Sequence, residues 1–346
     1  MLITKEGLKK LAERLLGEGI QVAAPTERAN QPVYAALRSA DEMALDHQIP
    51  RNSFKEFLFP QTEVVARFAI SKGAVNLASA GTEFPETVVL GARPCDAASV
   101  ASLRSVFTWK GEDDRFFTGR QDKSAVVTIA CTKGDGACFC TSVGLAPDTP
   151  QGSDILLRPT VSGGFRAEAL TERGKALAAG ADGIFTDGDE ELAPVTPPPA
   201  VESADVEKIL AWLADTENYK DALWAAHAGK CVGCGACTYV CPTCHCFDIV
   251  DEGRAFEGER RKNWDACQFD HFTAHAGGHN PREKQSQRWR NRFMCKFHYY
   301  PTKFDSRGCV GCGRCVRVCY VGLDITEMMQ KVTGKAVRSP ESGVRS

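Results

Sequence analysis

The sequence predicts an α+β or α/β chain, with a mixed α/β domain over residues 1–190 and a mainly helical, cysteine-rich domain over residues 204–330. Three observations carry this expectation. Short β-branched runs bounded by Gly, Pro or polar residues recur in the first half. The stretch LAPVTPPPA (192–200) is rich in proline and marks a linker over residues 191–203. The pattern C-x2-C-x2-C-x3-C occurs twice in the second half, at 231–241 and 309–319.

The elements follow in order. MLITKEGLKKLAERLLGEG places Leu8, Leu11 and Leu15 on one face of an amphipathic helix. QVAAP (21–25), TVVLGA (87–92), SAVVTIAC (124–131) and DILLRPT (154–160) read as strands. ASVASLRSVF (98–107) reads as a helix after the second of them. Beyond the linker, residues 204–229 carry a helical pattern. A long insertion, residues 242–308, separates the two cysteine motifs. Residues 331–346 are polar, lack apolar periodicity and are expected to be a disordered tail.

Composition narrows the function class. A chain of 346 residues holds about two domains at roughly 150 residues each. The net charge of −2 names no partner. The longest apolar runs, such as AVVTIA (125–130), fall far short of the ~20 residues that span a bilayer. The N-terminus has no apolar core of a signal peptide. The expectation is a soluble, cytoplasmic protein without membrane insertion. Sixteen cysteines in such a chain point to metal or redox chemistry rather than to disulfides.

CVGCGACTYVC (231–241) and CVGCGRCVRVC (309–319) match at eight of eleven positions, all four cysteines included. Duplication of one short unit implies a pseudo-symmetric pair of sites. Gly233, Gly235, Gly311 and Gly313 permit the tight turn that lets three thiolates wrap one cubane face. The fourth cysteine is expected to begin a helix and point away, and in two-cluster ferredoxins it ligates the other cluster. By that rule Cys231, Cys234, Cys237 and Cys319 hold one [4Fe–4S] cluster. Cys309, Cys312, Cys315 and Cys241 hold the second. The second half is therefore expected to be a ferredoxin-like, dicluster domain. Structural zinc is the alternative, but zinc sites usually pair two distant knuckles.

Eight cysteines remain. Cys95 follows a strand and opens a helix, while Cys131, Cys138 and Cys140 follow another. Both strand ends belong at the C-terminal edge of a parallel sheet, the usual place for α/β sites. These four thiols are candidates for a further metal site, and Cys95 is also a candidate redox thiol whose pKa a helix N-terminus would lower. Cys244, Cys246, Cys267 and Cys295 are candidates for another metal site in the insertion. One or two iron–sulfur clusters beyond the first two would use these positions. Against both readings stands simple burial of small hydrophobic thiols. The insertion also carries His245, His271, His275, His279 and His298. His271, His275 and His279 have the spacing of one helix face, although Gly277, Gly278 and Pro281 argue that a helix ends there. Residues 254–307 hold twelve Lys or Arg against six Asp or Glu. Arg288, Arg290 and Arg292 are the candidate docking face for an acidic partner protein, in preference to nucleic acid. No G-x-G-x-x-G follows a strand and no P-loop pattern occurs, so nothing marks a nucleotide or flavin site.

The set PRNSFKEFLFPQTE (50–63), GARPCD (91–96), CTKGDGACFCTSVG (131–144), CVGCGACTYVCPTCHCFD (231–248), WDACQ (264–268), AGGHNPR (276–282) and CVGCGRC (309–315) resembles one family. It is similar to the beta subunits of soluble group 3 nickel–iron hydrogenases (sulfhydrogenase beta) and to the corresponding ferredoxin-like subunits of anaerobic sulfite reductases. The likeness covers residues 1–328. It implies an electron-transfer subunit without a catalytic residue of its own. Such a subunit passes electrons between a flavin subunit that uses NAD(P)H and a catalytic partner, a nickel–iron hydrogenase or a sulfite reductase. Two other readings stand beside it: an enzyme that itself reduces sulfur, polysulfide or sulfite, and a zinc-bound interaction module.

Overall fold

The computed structural model describes residues 1–46 and 49–338. Eleven strands form two sheets among these residues. They are β1 (Leu2–Ile3), β2 (Gln21–Arg28), β3 (Gln31–Ala36), β4 (Thr62–Ser71), β5 (Ala74–Ser79), β6 (Thr87–Ala92), β7 (Ser124–Ile129), β8 (Ile155–Pro159), β9 (Phe165–Ala169), β10 (Phe247–Arg254) and β11 (Glu257–Trp264).

The larger sheet has the order β1-β9-β8-β7-β6-β2-β3. Its centre is parallel: β2 pairs with β6, β6 with β7 and β7 with β8. Strands β6 and β7 are buried along their whole length, as a centre covered on both faces requires. One face packs under the helix Lys5–Gly17, which buries Leu8, Leu11 and Leu15 as its periodicity predicts. The other packs under the helix Pro94–Phe107 and an aromatic group that includes Phe54, Phe59 and Phe117. Both helices and all four expected strands stand within a few residues of their predicted places.

The smaller sheet has the order β10-β11-β4-β5 and joins distant parts of the chain. The hairpin β10–β11 comes from the insertion between the cysteine motifs, while β4 and β5 come from the first half. Lys262 of β11 is buried and reaches Glu63 of β4 at 2.6 Å and Asp114 at 2.9 Å. The insertion thus adds strands to a region expected to be mainly helical. The two halves of the chain share a sheet rather than meeting only at the linker.

The helices of the second half form their own core. Val206–Ala214, Leu223–Ala228, Gln285–Met294 and Ile325–Arg338 bury Trp212, Trp224, Trp289, Phe293 and Met328 against one another. The expected disordered tail needs correction. Lys331 to Arg338 continue the last helix, because Val332 returns to this core at helical spacing from Met328. Residues 339–346 lie outside the described residues. A small core of Cys95, Ala98, Leu145, Val310 and Cys312 fastens the two halves together.

Candidate metal centres

The two cysteine motifs fold alike. In each, two glycines adopt left-handed backbone, with φ of 69° and 74° at Gly233 and Gly235, and 63° and 71° at Gly311 and Gly313. A single helical turn follows, Ala236–Tyr239 in the first motif and Arg314–Arg317 in the second. The fourth cysteine therefore ends a turn of helix instead of beginning one. A side chain at Gly311 would stand 2.5 Å from the Cys140 backbone, and one at Gly313 would stand 2.2 Å from the Ala137 carbonyl. The second motif is thus pressed into the 137–140 loop, and the Phe139 N–H donates to the Gly311 carbonyl at 2.8 Å.

The cysteines of the two motifs intermingle. Cys231, Cys234, Cys237, Cys315 and Cys319 line one recess, together with Trp289 and Arg292. Cys315, Cys241 and Cys312 are the sulfurs that face Cys309. Cysteines of both motifs therefore meet in one region, Cys319 and Cys315 beside the first motif and Cys241 near the second. Cys315 also faces Cys237, so the two sites adjoin.

Burial separates them. Cys234 is exposed, and Val232 and Tyr320 beside it are 58% and 74% exposed. Cys241 and Cys312 are buried. Burial pushes the thiols of Cys237, Cys309 and Cys312 up to about 12. A metal that takes these sulfurs must displace their protons. Polar groups are already aimed at the first site. The Gln285 amide donates to Cys231 Sγ at 3.2 Å, and the Leu323 N–H donates to Cys319 Sγ at 3.3 Å. Such donors are the usual means by which a protein tunes an iron–sulfur site.

The remaining cysteines also gather. Cys95, Cys131, Cys138 and Cys140 line a second recess, which Cys312 shares. Cys95 lies just beyond β6 and Cys131 just beyond β7, at the C-terminal edge of the parallel strands as anticipated. The pKa of Cys95 moves opposite to expectation. Its burial, with Asp96 adjacent, holds the thiol well above its ordinary value despite the helix N-terminus. In the insertion, Cys246 lies beside Cys267, with Cys244 and Cys295 near enough to raise its thiol pKa. All sixteen cysteines are free of disulfides. Among the described residues no three Cys, His, Asp or Glu side chains converge on a point the size of one metal ion.

The histidines and arginines fall elsewhere. His271, His275 and His279 do not share a helix face, because the chain forms one short turn at His271–Thr273 and then loops. His245 is half-buried with Nδ1 at 2.8 Å from the Tyr300 hydroxyl. The expected docking face needs correction too. Arg292 is 3% exposed and turns inward to the Cys237 carbonyl at 3.5 Å. Arg290 lies over Tyr219 and donates to its carbonyl at 2.5 Å. Arg288 directs its donors to Gln285 and to the carbonyls of Arg282 and Glu283. Arg292 therefore serves the interior, while Arg288 and Arg290 are half-buried and bonded to the chain's own carbonyls.

Sequence reasoning missed two buried cations. Lys55 donates to the Cys244 carbonyl at 3.0 Å, and Lys296 donates to the Thr243 hydroxyl at 2.8 Å. Hydropathy gives no sign of a buried lysine. The only available signal was the lysine's place inside PRNSFKEF and RFMCKFHYY.

Residues 230–323 match the family described as the 4Fe-4S dicluster domain. The duplicated motif and this match support an iron–sulfur protein. Over 321 residues the chain is 29% identical to sulfhydrogenase 2 subunit beta of Pyrococcus furiosus, covering 90% of this chain and 92% of that relative. The resemblance to hydrogenase beta subunits is thereby borne out. No solved structure matches the chain. No helix among the described residues is long and apolar enough to cross a membrane.

Proposed function

We propose that this chain is the electron-relay subunit of a multi-subunit oxidoreductase. Cys231, Cys234, Cys237 and Cys319 hold one [4Fe–4S] cluster, and Cys309, Cys312, Cys315 and Cys241 hold another. Clusters of this kind accept and release one electron at a time. The observation that supports the reading is the meeting of both motifs' cysteines, from exposed Cys234 through the recess of Cys231, Cys237, Cys315 and Cys319 to buried Cys241 and Cys312. The protein's part is to fix the sulfurs, exclude water from the inner set and supply N–H donors to the outer one.

The absence of a flavin or nucleotide motif supports a relay that depends on partners for the two-electron chemistry. The likeness to a sulfhydrogenase beta subunit supports a nickel–iron hydrogenase as the catalytic partner, with a flavin subunit that uses NAD(P)H as the other. A sulfite reductase is the alternative catalytic partner. The buried, proton-retaining thiol of Cys95 does not favour an enzyme that attacks sulfur compounds through that residue.

The test uses the assembled complex. Cys312→Ser should abolish electron flow between NAD(P)H and the catalytic subunit. The flavin subunit should still reduce artificial dyes, and the catalytic subunit should still accept electrons from them. Undiminished overall flow in this variant would overturn the relay.

A further inference from the structure

We propose that Cys95, Cys131, Cys138 and Cys140 hold an iron–sulfur cluster of their own, and that Cys244, Cys246, Cys267 and Cys295 hold another, so that all sixteen cysteines are ligands in four sets of four. The proposal rests on the iron–sulfur reading above and extends it from two sites to four. Separate observations carry the two added sites.

The first is a shaped recess. Four thiols from two strand ends and one loop line the same space, closed on its other sides by Pro94, Pro147 and Pro198. Simple packing of small hydrophobic side chains would fill such a space, as protein interiors are close-packed. Here the sulfurs surround it. Cys131 faces Cys138, and Cys140 faces both. Arg317 donates to Cys138 Sγ at 3.2 Å, as Gln285 does to Cys231 in the ferredoxin-type set. Cys312 borders the same recess. The added site therefore adjoins the enclosed dicluster site, the position in which one-electron carriers pass charge on.

The second is a surplus of buried positive charge. Lys55, Lys296 and Arg292 are each 3% exposed. Lys55 donates to a carbonyl and lies over the Trp264 ring at 4.0 Å, Lys296 donates to a hydroxyl and lies 5.7 Å from the Tyr300 ring, and Arg292 reaches a distant carbonyl. No carboxylate pairs with any of the three among the described residues, and Arg292 Nε has no partner there. Buried charges in proteins are paired or serve a metal centre. The groups near these cations are sulfurs: Cys241 and Cys244 for all three, with Cys246 for Lys55, Cys295 for Lys296, and Cys237 and Cys315 for Arg292. Four thiolates around a cluster give a net negative centre, which supplies the missing counter-charge. A one-turn π-helix, Cys295–Tyr299, sets Cys295 toward Cys246. Such turns interrupt helices mainly at functional positions.

The experiment counts iron and acid-labile sulfide in the full chain, purified without oxygen, beside electron paramagnetic resonance of the reduced protein. Four cubanes give about sixteen iron atoms per chain. The double variant C131A/C138A should lose about four, and C246A/C267A should lose about four more, each leaving the dicluster signals in place. About eight iron atoms in the wild type would overturn the proposal and leave the two-cluster reading intact. Unchanged iron in either double variant would overturn the corresponding site, and zinc in place of that iron would do the same. A wild-type chain without iron would overturn both readings together. If a double variant fails to fold, the wild-type count decides.

Discussion

Arg314 and Asp96 form a bidentate ion pair at 2.7 and 2.6 Å, across 218 positions of sequence, with exposures of 2% and 0%. Arg314 begins the helical turn of the second cysteine motif, and Asp96 lies in the first turn of the helix that follows β6. The pair is fully hydrogen-bonded. Arg314 Nε donates to the Pro50 carbonyl at 2.8 Å, and the Tyr34 hydroxyl reaches Asp96 at 3.2 Å. It is the electrostatic bolt between the two halves of the chain.

Removing one partner strands the other charge in the interior. Arg314→Met or Asp96→Asn should each destabilise the protein by about 3–5 kcal/mol, and the double variant should recover much of that loss. Denaturant unfolding of the wild type, both single variants and the double variant measures the coupling. Additive losses would show that the two residues act independently.

Glycine at 311 has no substitute. Gly311→Ala places a methyl against the Cys140 backbone and holds alanine at a φ of 63°. The variant should lose roughly 1–3 kcal/mol from backbone strain alone, and more from parting the loops. Gly334→Ala is the control. Gly334 sits exposed in the last helix with open space around it, so alanine there should stabilise by up to about 1 kcal/mol. Thermal unfolding of the two variants should shift in opposite directions.

His227 makes the second half sensitive to mild acid. Burial against Trp289, with the Lys331 ammonium 3.4 Å away, holds its pKa below the ordinary 6.5. The unfolded chain therefore takes up a proton at a higher pH than the folded chain does. The stability that neutral His227 contributes is present above pH 6.5 and is lost as the pH falls through that value. His227→Gln should flatten stability between neutral pH and about pH 5, relative to the wild type. A parallel decline in both proteins would show that other groups set the slope.

Lys296 should tune potential more than fold. Lys296→Met keeps most of the buried volume and removes a positive charge beside Cys241, Cys244 and Cys295. Clusters nearest to it should become harder to reduce, by roughly 60 mV, a tenfold change for one electron. Redox titration followed by paramagnetic resonance reads the shift, and unchanged potentials would detach Lys296 from the sulfur sites.

Chelation of the iron should loosen the chain unevenly. Sulfur sites are built from loops that hold little structure without metal. Amide exchange should rise first at 231–241 and 309–319, while β6 and β7, buried at the centre of the larger sheet, stay protected. Simultaneous exchange of both regions would mean that the metal sites and the sheet form one cooperative unit.

Much of this was legible in the sequence, and the rest was hidden for specific reasons. TVVLGA and SAVVTIAC announce β6 and β7 because a doubly covered strand must be apolar throughout. Their positions in turn place Cys95 and Cys131 together. EGERRKNW does not read as a strand, because β11 buries a lysine between two carboxylates and shows charged side chains elsewhere. The arginines of 288–292 read as surface charge because composition does not reveal direction. Arg292 points inward, and only the folded packing of sulfur around it gives the reason. Arg314 stood in plain sight inside a cysteine motif, but its partner lies 218 positions away.

The shared smaller sheet also orders events during synthesis. β4 and β5 leave the ribosome long before β11, the strand that completes them, which begins at Glu257. Until then β4 presents an open edge, the kind of template on which foreign strands add. Slow, long-range pairings of this sort expose a nascent chain to misassembly. The charges along β4 and β11, Glu63 and Arg67 against Lys262 and Glu259, then act as gatekeepers: they accept the proper hairpin and discourage others. The second cysteine motif, 309–319, comes later still, so the chain seats its last strand before the two motifs can meet.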